Sequence, residues 1–519
     1  MARKQPPARR PPSVGFVSLG CAKNLVDLQV MAGRIVRAGL RLAPSAEKAD
    51  VILVNTCAFI ESAREEAAEN IVWACERKKA GKCRAVVVAG CLPQRYADRM
   101  AEAFPDVDAI LGVDDLARAG EVVLAAVGGE VQECNVRRTK DKVQGAKSAP
   151  RASDVPPSGF LDAVSRAKPH RVFDPDEPGL VLSGGPFAYL KIAEGCFHAC
   201  AFCAIPGIRG KFRSRPIESI VAEARALVAD GYHELDLVAQ DVTAYGRDFP
   251  AARPEVGPYR GCGLPAAAAS LPTCAAAPLR GRPSLVTLLR ELDAIPGDFR
   301  IRLLYGYPAT VTDELLHWMA ESPRACRYLD IPVQHSHPDV LRAMRRAETI
   351  DAVATLAERA RRLVPGITLR TTLLVGFPGE TEEHFKHLLD YVRASEFDHL
   401  GVFAFLPEEG TPAYDMGDEP DAETAERRRD ELMRLQQDIS RRRLAALVGR
   451  DDVVLLEAPS PENGKGVWTG RSSAQAPDDI DGVTYVFGVP ASAQPGDLLP
   501  VRYTGSDEYD LIAEALKRP

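Results

Sequence analysis

Glu194-Gly195-Cys196-Phe197-His198-Ala199-Cys200-Ala201-Phe202-Cys203 places three thiols along one short loop, separated by three and then two residues. Three thiolates at that spacing can wrap an iron–sulfur cube while leaving the fourth iron without a protein ligand, and an open metal position is where chemistry happens. The bland alternatives are a zinc knuckle and a structural disulfide. Zinc staples usually come as paired Cys-x-x-Cys or end in a closed fourth ligand. His198 is the only nearby residue able to close this one, and it lies inside the loop.

The loop directly follows an apolar run at 187–192, the first of six strand candidates; the others are 234–238, 299–304, 328–333, 367–375 and 400–405. Helical stretches at 217–229, 284–294, 312–320 and 382–394 run between them. Strand and helix in alternation predict a parallel, right-handed array, a partial (β/α)6 barrel whose working end is the carboxyl end of its strands. Ala239-Gln240-Asp241 follows the second strand and Gly376-Phe377-Pro378-Gly379-Glu380 the fifth. Gln334, His335 and His337 follow the fourth and could face the same mouth, or be solvated loop polars. An aperiodic stretch rich in Ala, Pro and Gly at 249–283 reads as an insertion, with Cys262 and Cys274 as non-ligands.

Upstream, three short apolar runs each finish on a cysteine, at Cys21, Cys57 and Cys91. Each run is rich in β-branched residues and precedes a helical stretch, the pattern of buried strands in an open parallel α/β sheet. Ligands gather at the carboxyl edge of such sheets, so these cysteines should meet as a second three-thiolate site. Cys75, Cys83, Cys134 and Cys326 read as inert buried thiols. The chain thus divides into a disordered tail (1–12), the α/β domain (13–130), a linker (131–184) with a short helix near 160–167, the partial barrel (185–421), a connecting charged helix (422–450) and a small antiparallel β-barrel (451–519). That last barrel holds five Lys+Arg against twelve Asp+Glu. Its charge favours a basic protein surface as partner and disfavours direct RNA binding.

Across 519 residues, 72 Asp+Glu against 65 Lys+Arg exert no global pull toward nucleic acid or anionic membrane. No apolar run is long enough to span a bilayer, and the basic, proline-rich start lacks a signal peptide's apolar stretch. A cytoplasmic protein is expected. In a reducing compartment, twelve cysteines point to metal ligation and not to disulfides.

With these residues in view, the Cys-x-x-x-Cys-x-x-Cys loop resembles that of the radical S-adenosylmethionine enzymes. The three strand-end cysteines and the final barrel resemble the methylthiotransferases among them. The stretches at 18–24 (SLGCAKN), 330–335 (DIPVQH), 375–381 (VGFPGET), 408–413 (EEGTPA) and 507–511 (DEYDL) are similar to the members that modify a ribosomal protein. Departures are Ala22 where proline is frequent, Leu28-Gln29 in place of Ser-Glu, and the insertion at 249–283. None removes a cysteine.

The resemblance implies two [4Fe-4S] clusters, on Cys196, Cys200 and Cys203 and on Cys21, Cys57 and Cys91, with S-adenosyl-L-methionine as cofactor. It implies cofactor contacts from Phe202, Gln240 and Asp241, and no catalytic residue beyond the cluster ligands. The first cluster would bind the cofactor and make a 5′-deoxyadenosyl radical. That radical would take hydrogen from the β-carbon of an aspartate on small-subunit ribosomal protein S-twelve, and the second cluster would deliver the methylthio group. An electron donor is a further partner. Two other functions remain open at this point: methylthiolation of tRNA adenosine, and a non-catalytic iron–sulfur or zinc scaffold.

Overall fold

The computed structural model describes residues 10–128, 137–138, 161–165, 180–249, 283–464 and 466–516. The expected tail through residue 9, most of the linker with Cys134, and positions 250–282 of the insertion with Cys262 and Cys274 lie outside the described residues. The first sheet contains β1 (Ser13–Ser18), β2 (Arg41–Leu42), β3 (Val51–Thr56), β4 (Ala85–Gly90), β5 (Ala109–Leu111), β6 (Arg137–Arg138) and β7 (Leu161–Ala163), in the order β2-β1-β3-β4-β5-β7-β6. All pairs are parallel except β6 with β7. Every residue of β3 and β4 is buried, as a strand covered by helices on both faces requires. The short helix expected near 160–167 is instead strand β7, paired with β5 at Ala109↔Leu161. Three residues are too few for periodicity to separate the two, and the open edge of β5 decides.

The second sheet holds β8 (Phe187–Lys191), β11 (Glu234–Val238), β12 (Arg300–Leu303), β13 (Ala325–Asp330), β14 (Thr368–Val375) and β15 (His399–Ala404), six parallel strands in chain order around a partial barrel. Between the first two, β9 (Ala193–Glu194) and β10 (Arg213–Ser214) form a separate antiparallel clasp. One face of the six strands, through Leu190, Leu237, Leu303, Leu329 and Leu373, joins a single apolar core with the surrounding helices. Burial of each such leucine is worth about 1.5–3 kcal/mol. Reciprocal capping boxes at Ser284 and Thr381 start the helices Leu285–Asp293 and Glu382–Ser395.

The opposite face is polar and equally buried. Its alternate positions carry Tyr189, Lys191, Glu234, Arg302, Asp330 and Tyr328, each below a tenth exposed. Two other parts of the chain cover them. Helix Ala22–Arg37 of the first domain and a loop of the final barrel meet there, where Ala22 and Val26 pack with Tyr189, Tyr328 and Ala476. Charge is matched across the contact: Glu234 takes Arg302 at 3.0 Å and Arg471 at 2.9 Å, with Arg300 as a third cation.

The final barrel is closed, with β16 (Asp451–Pro459), β17 (Trp468–Arg471), β18 (Thr484–Phe487), β19 (Leu498–Ser506) and β20 (Leu511–Ala515) in the order β16-β17-β18-β20-β19. Its pairs are antiparallel except β18 with β20, which run parallel. Helix Ala422–Ala445 leads into it while packing on the preceding sheet, where Gln436 Nε2 donates to Phe397 O at 2.9 Å.

Asp481, on the loop that fills the partial barrel, accepts from the Tyr328 hydroxyl at 2.5 Å, the Ala476 N–H at 2.9 Å and Arg370 at 3.1 Å. Burial pushes this carboxyl up, but His399, Arg370 and those donors hold it below its ordinary value. A depressed carboxyl stabilises fully above its unfolded pKa and loses that contribution as pH falls through the folded one. Asp481→Asn is therefore expected to cost about 1–3 kcal/mol at neutral pH. Its deficit in melting temperature should shrink on acidification; a deficit independent of pH would contradict the assignment.

Candidate cluster and cofactor site

The β9–β10 clasp brackets the cysteine loop and fixes where it begins and ends. Gly195 sits at φ +75°, and a Cβ there would stand 2.2 Å from Lys211 O, so only glycine lets the loop close. Inside it, the Cys196 N–H donates to Gly210 O at 3.2 Å and the Cys203 N–H to Cys200 O at 3.1 Å. Ala201 ties the loop to two distant turns, its N–H donating to Met344 O at 3.0 Å and its carbonyl accepting from the Ala413 N–H at 2.8 Å. Phe202 is half-buried, edge-on to Phe377 at 6.4 Å.

His198 turns its ring away from the role of a closing ligand. Its Nε2 lies 2.8 Å from Asp241 Oδ2, and the ring stacks on Tyr307 at 3.5 Å and 12°. Asp241 is itself fixed by the Thr243 hydroxyl at 2.6 Å and the Ala244 N–H at 3.1 Å. Arg346, which sequence reasoning missed, places Nη1 3.6 Å from Cys200 Sγ and lies over the same tyrosine ring.

Burial pushes the thiols of Cys196 and Cys203 up to about 12, and the nearby Cys200 thiol adds to both shifts. Crowded thiols of this kind become thiolates when a metal centre supplies positive charge, so the donor set fits an iron–sulfur cluster.

The second trio also converges, and glycines again make room. Gly20 (φ +92°) would put a Cβ 2.9 Å from Cys57 Cβ; Gly90 (φ +99°) would put one 2.7 Å from Asn55 Oδ1. Cys21 precedes helix Ala22–Arg37, and Cys91 is the first residue of helix Cys91–Ala103. Burial pushes Cys91 up to about 11 and raises Cys57, each with a contribution from neighbouring thiols of the trio. Burial also acts to raise Cys21, which is open to solvent in its recess, but the cations Lys23 and Arg209 bring it below the ordinary thiol value.

Between the trios runs a buried ion network that no sequence spacing announces. Arg209, on the short helix Ile205–Arg209 that follows the cysteine loop, donates to Glu194 at 3.0 Å, Asp27 at 2.9 Å, Asn24 at 3.3 Å and Cys91 Sγ at 3.4 Å. Lys191 bridges the same two carboxylates, reaching Glu194 Oε2 at 2.8 Å and pairing with Asp27. Two cations thus face two anions, all nearly inaccessible to water. Gln240 joins through Nε2 at 3.2 Å from Glu194 and keeps a buried Oε1 without a hydrogen-bond partner. The signal that could have found this network is charge in the wrong place: Lys191 and Glu194 end an otherwise apolar strand run.

A cleft of about 560 Å³ opens beside the loop, lined by Arg95, Tyr96, Cys200, Cys203, Arg345 and Glu409. In the turn after β14, Glu380 accepts from the Phe377 N–H at 3.1 Å, and burial lifts its carboxyl to about 7 against the pull of Arg428.

Three family models match the chain: uncharacterized protein family UPF0004 over residues 13–112, the radical SAM superfamily over 190–392, and the TRAM domain over 448–516. A ribosomal protein uS12 methylthiotransferase RimO from Symbiobacterium thermophilum is 42% identical across 98% of this chain and 92% of the relative. One of the same name from Geobacter sulfurreducens is 40% identical across 97% of this chain and 98% of the relative. Among solved structures, the radical S-adenosylmethionine methyltransferase TsrM from Kitasatospora setae shares the fold, with TM-score 0.51, 16% identity, and coverage of 78% of this chain and 75% of that one. Identity of this degree along nearly the full length of both relatives, on a radical SAM barrel flanked by UPF0004 and TRAM domains, shows that the chain belongs to the ribosomal protein uS12 methylthiotransferase family of radical S-adenosylmethionine proteins.

Proposed function

We propose that this chain methylthiolates the β-carbon of an aspartate in ribosomal protein uS12, using one four-iron cluster on Cys196, Cys200 and Cys203 and a second on Cys21, Cys57 and Cys91. The observation that carries this reading is Arg209, which bonds Cys91 of one trio and Glu194 beside the other, so that both donor sets border one buried compartment. With its clusters and S-adenosylmethionine bound, the site would supply a carbon radical and the sulfur to be joined to the substrate carbon.

The protein's own groups hold and shield that chemistry. Asp241 orients His198 against Tyr307 and so stiffens the loop between Cys196 and Cys200. Gln240 offers its unpartnered acceptor, and Phe202 an aromatic edge, for contact with S-adenosylmethionine. The network of Lys191, Arg209, Asp27 and Glu194 fills the space between the trios with satisfied charge and leaves little room for water, which would otherwise compete for the polar contacts that hold the bound cofactor in place.

The acidic final barrel, spanning 451–519, suits a basic protein partner better than a phosphate backbone. Among the described residues no helix is long and apolar enough to cross a membrane. A one-electron donor is also required.

The deciding experiment is mass spectrometry of uS12 and of tRNA from cells lacking this chain. Loss of one methylthio group from uS12, with tRNA unchanged, is the expected result. Loss confined to tRNA would replace the uS12 reading.

A further inference from the structure

Four of the chain's nine histidines gather at one place that the cysteine chemistry does not use. His335 and His337 lie on the turn after β13; His384 and His387 lie one turn apart on helix Glu382–Ser395, which follows β14. The rings of His337 and His384 are 4.1 Å apart, and those of His337 and His387 are 5.1 Å apart. One ligand atom from each of His337, Asp339 and His384 falls within 4.8 Å of the other two. All three side chains can be reached from solvent.

We infer that His337, His384 and Asp339, with His387 at their side, form a binding site for one divalent transition-metal ion of the zinc type, separate from both cysteine trios. Two imidazoles and a carboxylate are a donor set for such ions, which prefer nitrogen ligands completed by oxygen. Residues three apart on a helix share a face, so His384 and His387 present their rings to the same point.

What holds these rings in place is weak where a metal must enter and firm behind it. His337 Nδ1 accepts from the Asp339 N–H at 3.2 Å and His384 Nδ1 from the Thr381 N–H at 3.3 Å, both long bonds that a metal–nitrogen bond can displace. Asp339 pairs with Arg342 on the exposed surface and already stands 4.0 Å from His337 Nδ1, so it can swing toward the rings. His387 Nδ1 lies 2.9 Å from Ser336 Oγ; donating to that hydroxyl, the ring keeps the Nε2 lone pair free. Behind them His335 is fully buried, its Nδ1 accepting from the His337 N–H at 2.9 Å and its Nε2 unpartnered. An ion at this point would tie the turn after β13 to the helix after β14.

The test uses full-length protein, loaded anaerobically with iron and sulfide so that the cysteines are occupied, then exposed to zinc and desalted. Wild type should retain about one more zinc than His337→Ala/His384→Ala, in line with a single site. Zinc should also raise the melting temperature of wild type and not that of the variant, because a ligand that binds only the folded state stabilises it. His317→Ala, at an exposed histidine on helix Asp313–Glu321, should behave as wild type. Should the double variant fold poorly, Asp339→Asn and His387→Gln change exposed groups only, and each should weaken zinc retention about tenfold or more. Equal zinc in wild type and in the His337, His384, Asp339 and His387 variants, or none in wild type, overturns the inference. The zinc count is independent of uS12 and of radical chemistry, so its failure and that of the proposed function are distinguishable.

Discussion

Cys200→Ala is expected to reduce cleavage of S-adenosylmethionine to background, whereas Cys57→Ala should retain cleavage within about tenfold of wild type, a barrier change of about 1.4 kcal/mol, and should form no methylthiolated uS12. The asymmetry follows from which trio each cysteine serves. Cys200 is buried between Cys196 and Cys203, with Arg346 bonded to its sulfur, and His198, the ring inside the loop, is committed to Asp241. Cys57 lies on the other side of the Arg209 network, after β3, and its loss leaves the clasp, the loop and Gln240 as they are. Iron content should fall in either variant from about eight per chain toward about four, if each trio holds a four-iron cube. Assay of 5′-deoxyadenosine alongside product separates the two roles. Product from the Cys57 variant would mean that the sulfur-delivering trio has been misassigned.

The signals that suggest the two trios are local ones, spacing within one loop and cysteines at the ends of buried strands, so the sequence alone is enough to single these six residues out. The six barrel strands were legible for the same reason, since apolar runs alternate with amphipathic helices. Strand β7 was not, because Leu161-Asp162-Ala163 carries too little pattern and its conformation is set by the edge of β5. In the final barrel the sequence announces short strands at 453–457, 465–471, 484–487 and 498–504 but not β20: Leu511–Ala515 closes the barrel through partners on both sides, β18 and β19, and tertiary pairing supplies what its sequence does not. The residues that most shape the site were the hardest to find. Arg209 meets Asp27 from 182 positions away, and Arg346 meets Cys200 from 146. Such partnerships leave no periodic trace. Lys191 and Glu194 left a faint one, as charges that a strand buried on both faces has no reason to carry unless they are paired.

Arg209→Met is expected to destabilise the folded chain by about 3–5 kcal/mol, the range for removing one partner from a buried ionic network. Methionine keeps much of the apolar stem but removes the cation that Asp27, Glu194 and Cys91 share, leaving Lys191 alone against two carboxylates. Burial by itself drives the Glu194 carboxyl upward; Arg209 and then Lys191 hold it well below the usual carboxylate range. In wild type, Glu194 therefore stabilises fully above its unfolded pKa, and that contribution fades only as pH falls through the depressed folded value. With Arg209 gone, the balance tips toward burial and the folded carboxyl rises. The variant should then be weakest at neutral and alkaline pH and should recover ground relative to wild type on acidification, as a proton relieves the uncompensated charge. Melting both proteins between pH 5 and pH 8 checks the sign, and a deficit constant across that range would show that lost packing, not lost charge, is responsible. Arg209→Lys should fall between the two, since a single ammonium cannot reach Asn24, Asp27, Glu194 and Cys91 with the geometry of a guanidinium. The same substitution bears on function, because Arg209 touches both the Cys91 thiol and the carboxylate adjoining the radical loop. Cleavage of S-adenosylmethionine should survive better than methylthiolation, so the ratio of product to cleaved cofactor should drop even under conditions where the variant is fully folded. A ratio equal to that of wild type would mean that Arg209 holds the two domains together without setting how their chemistries meet.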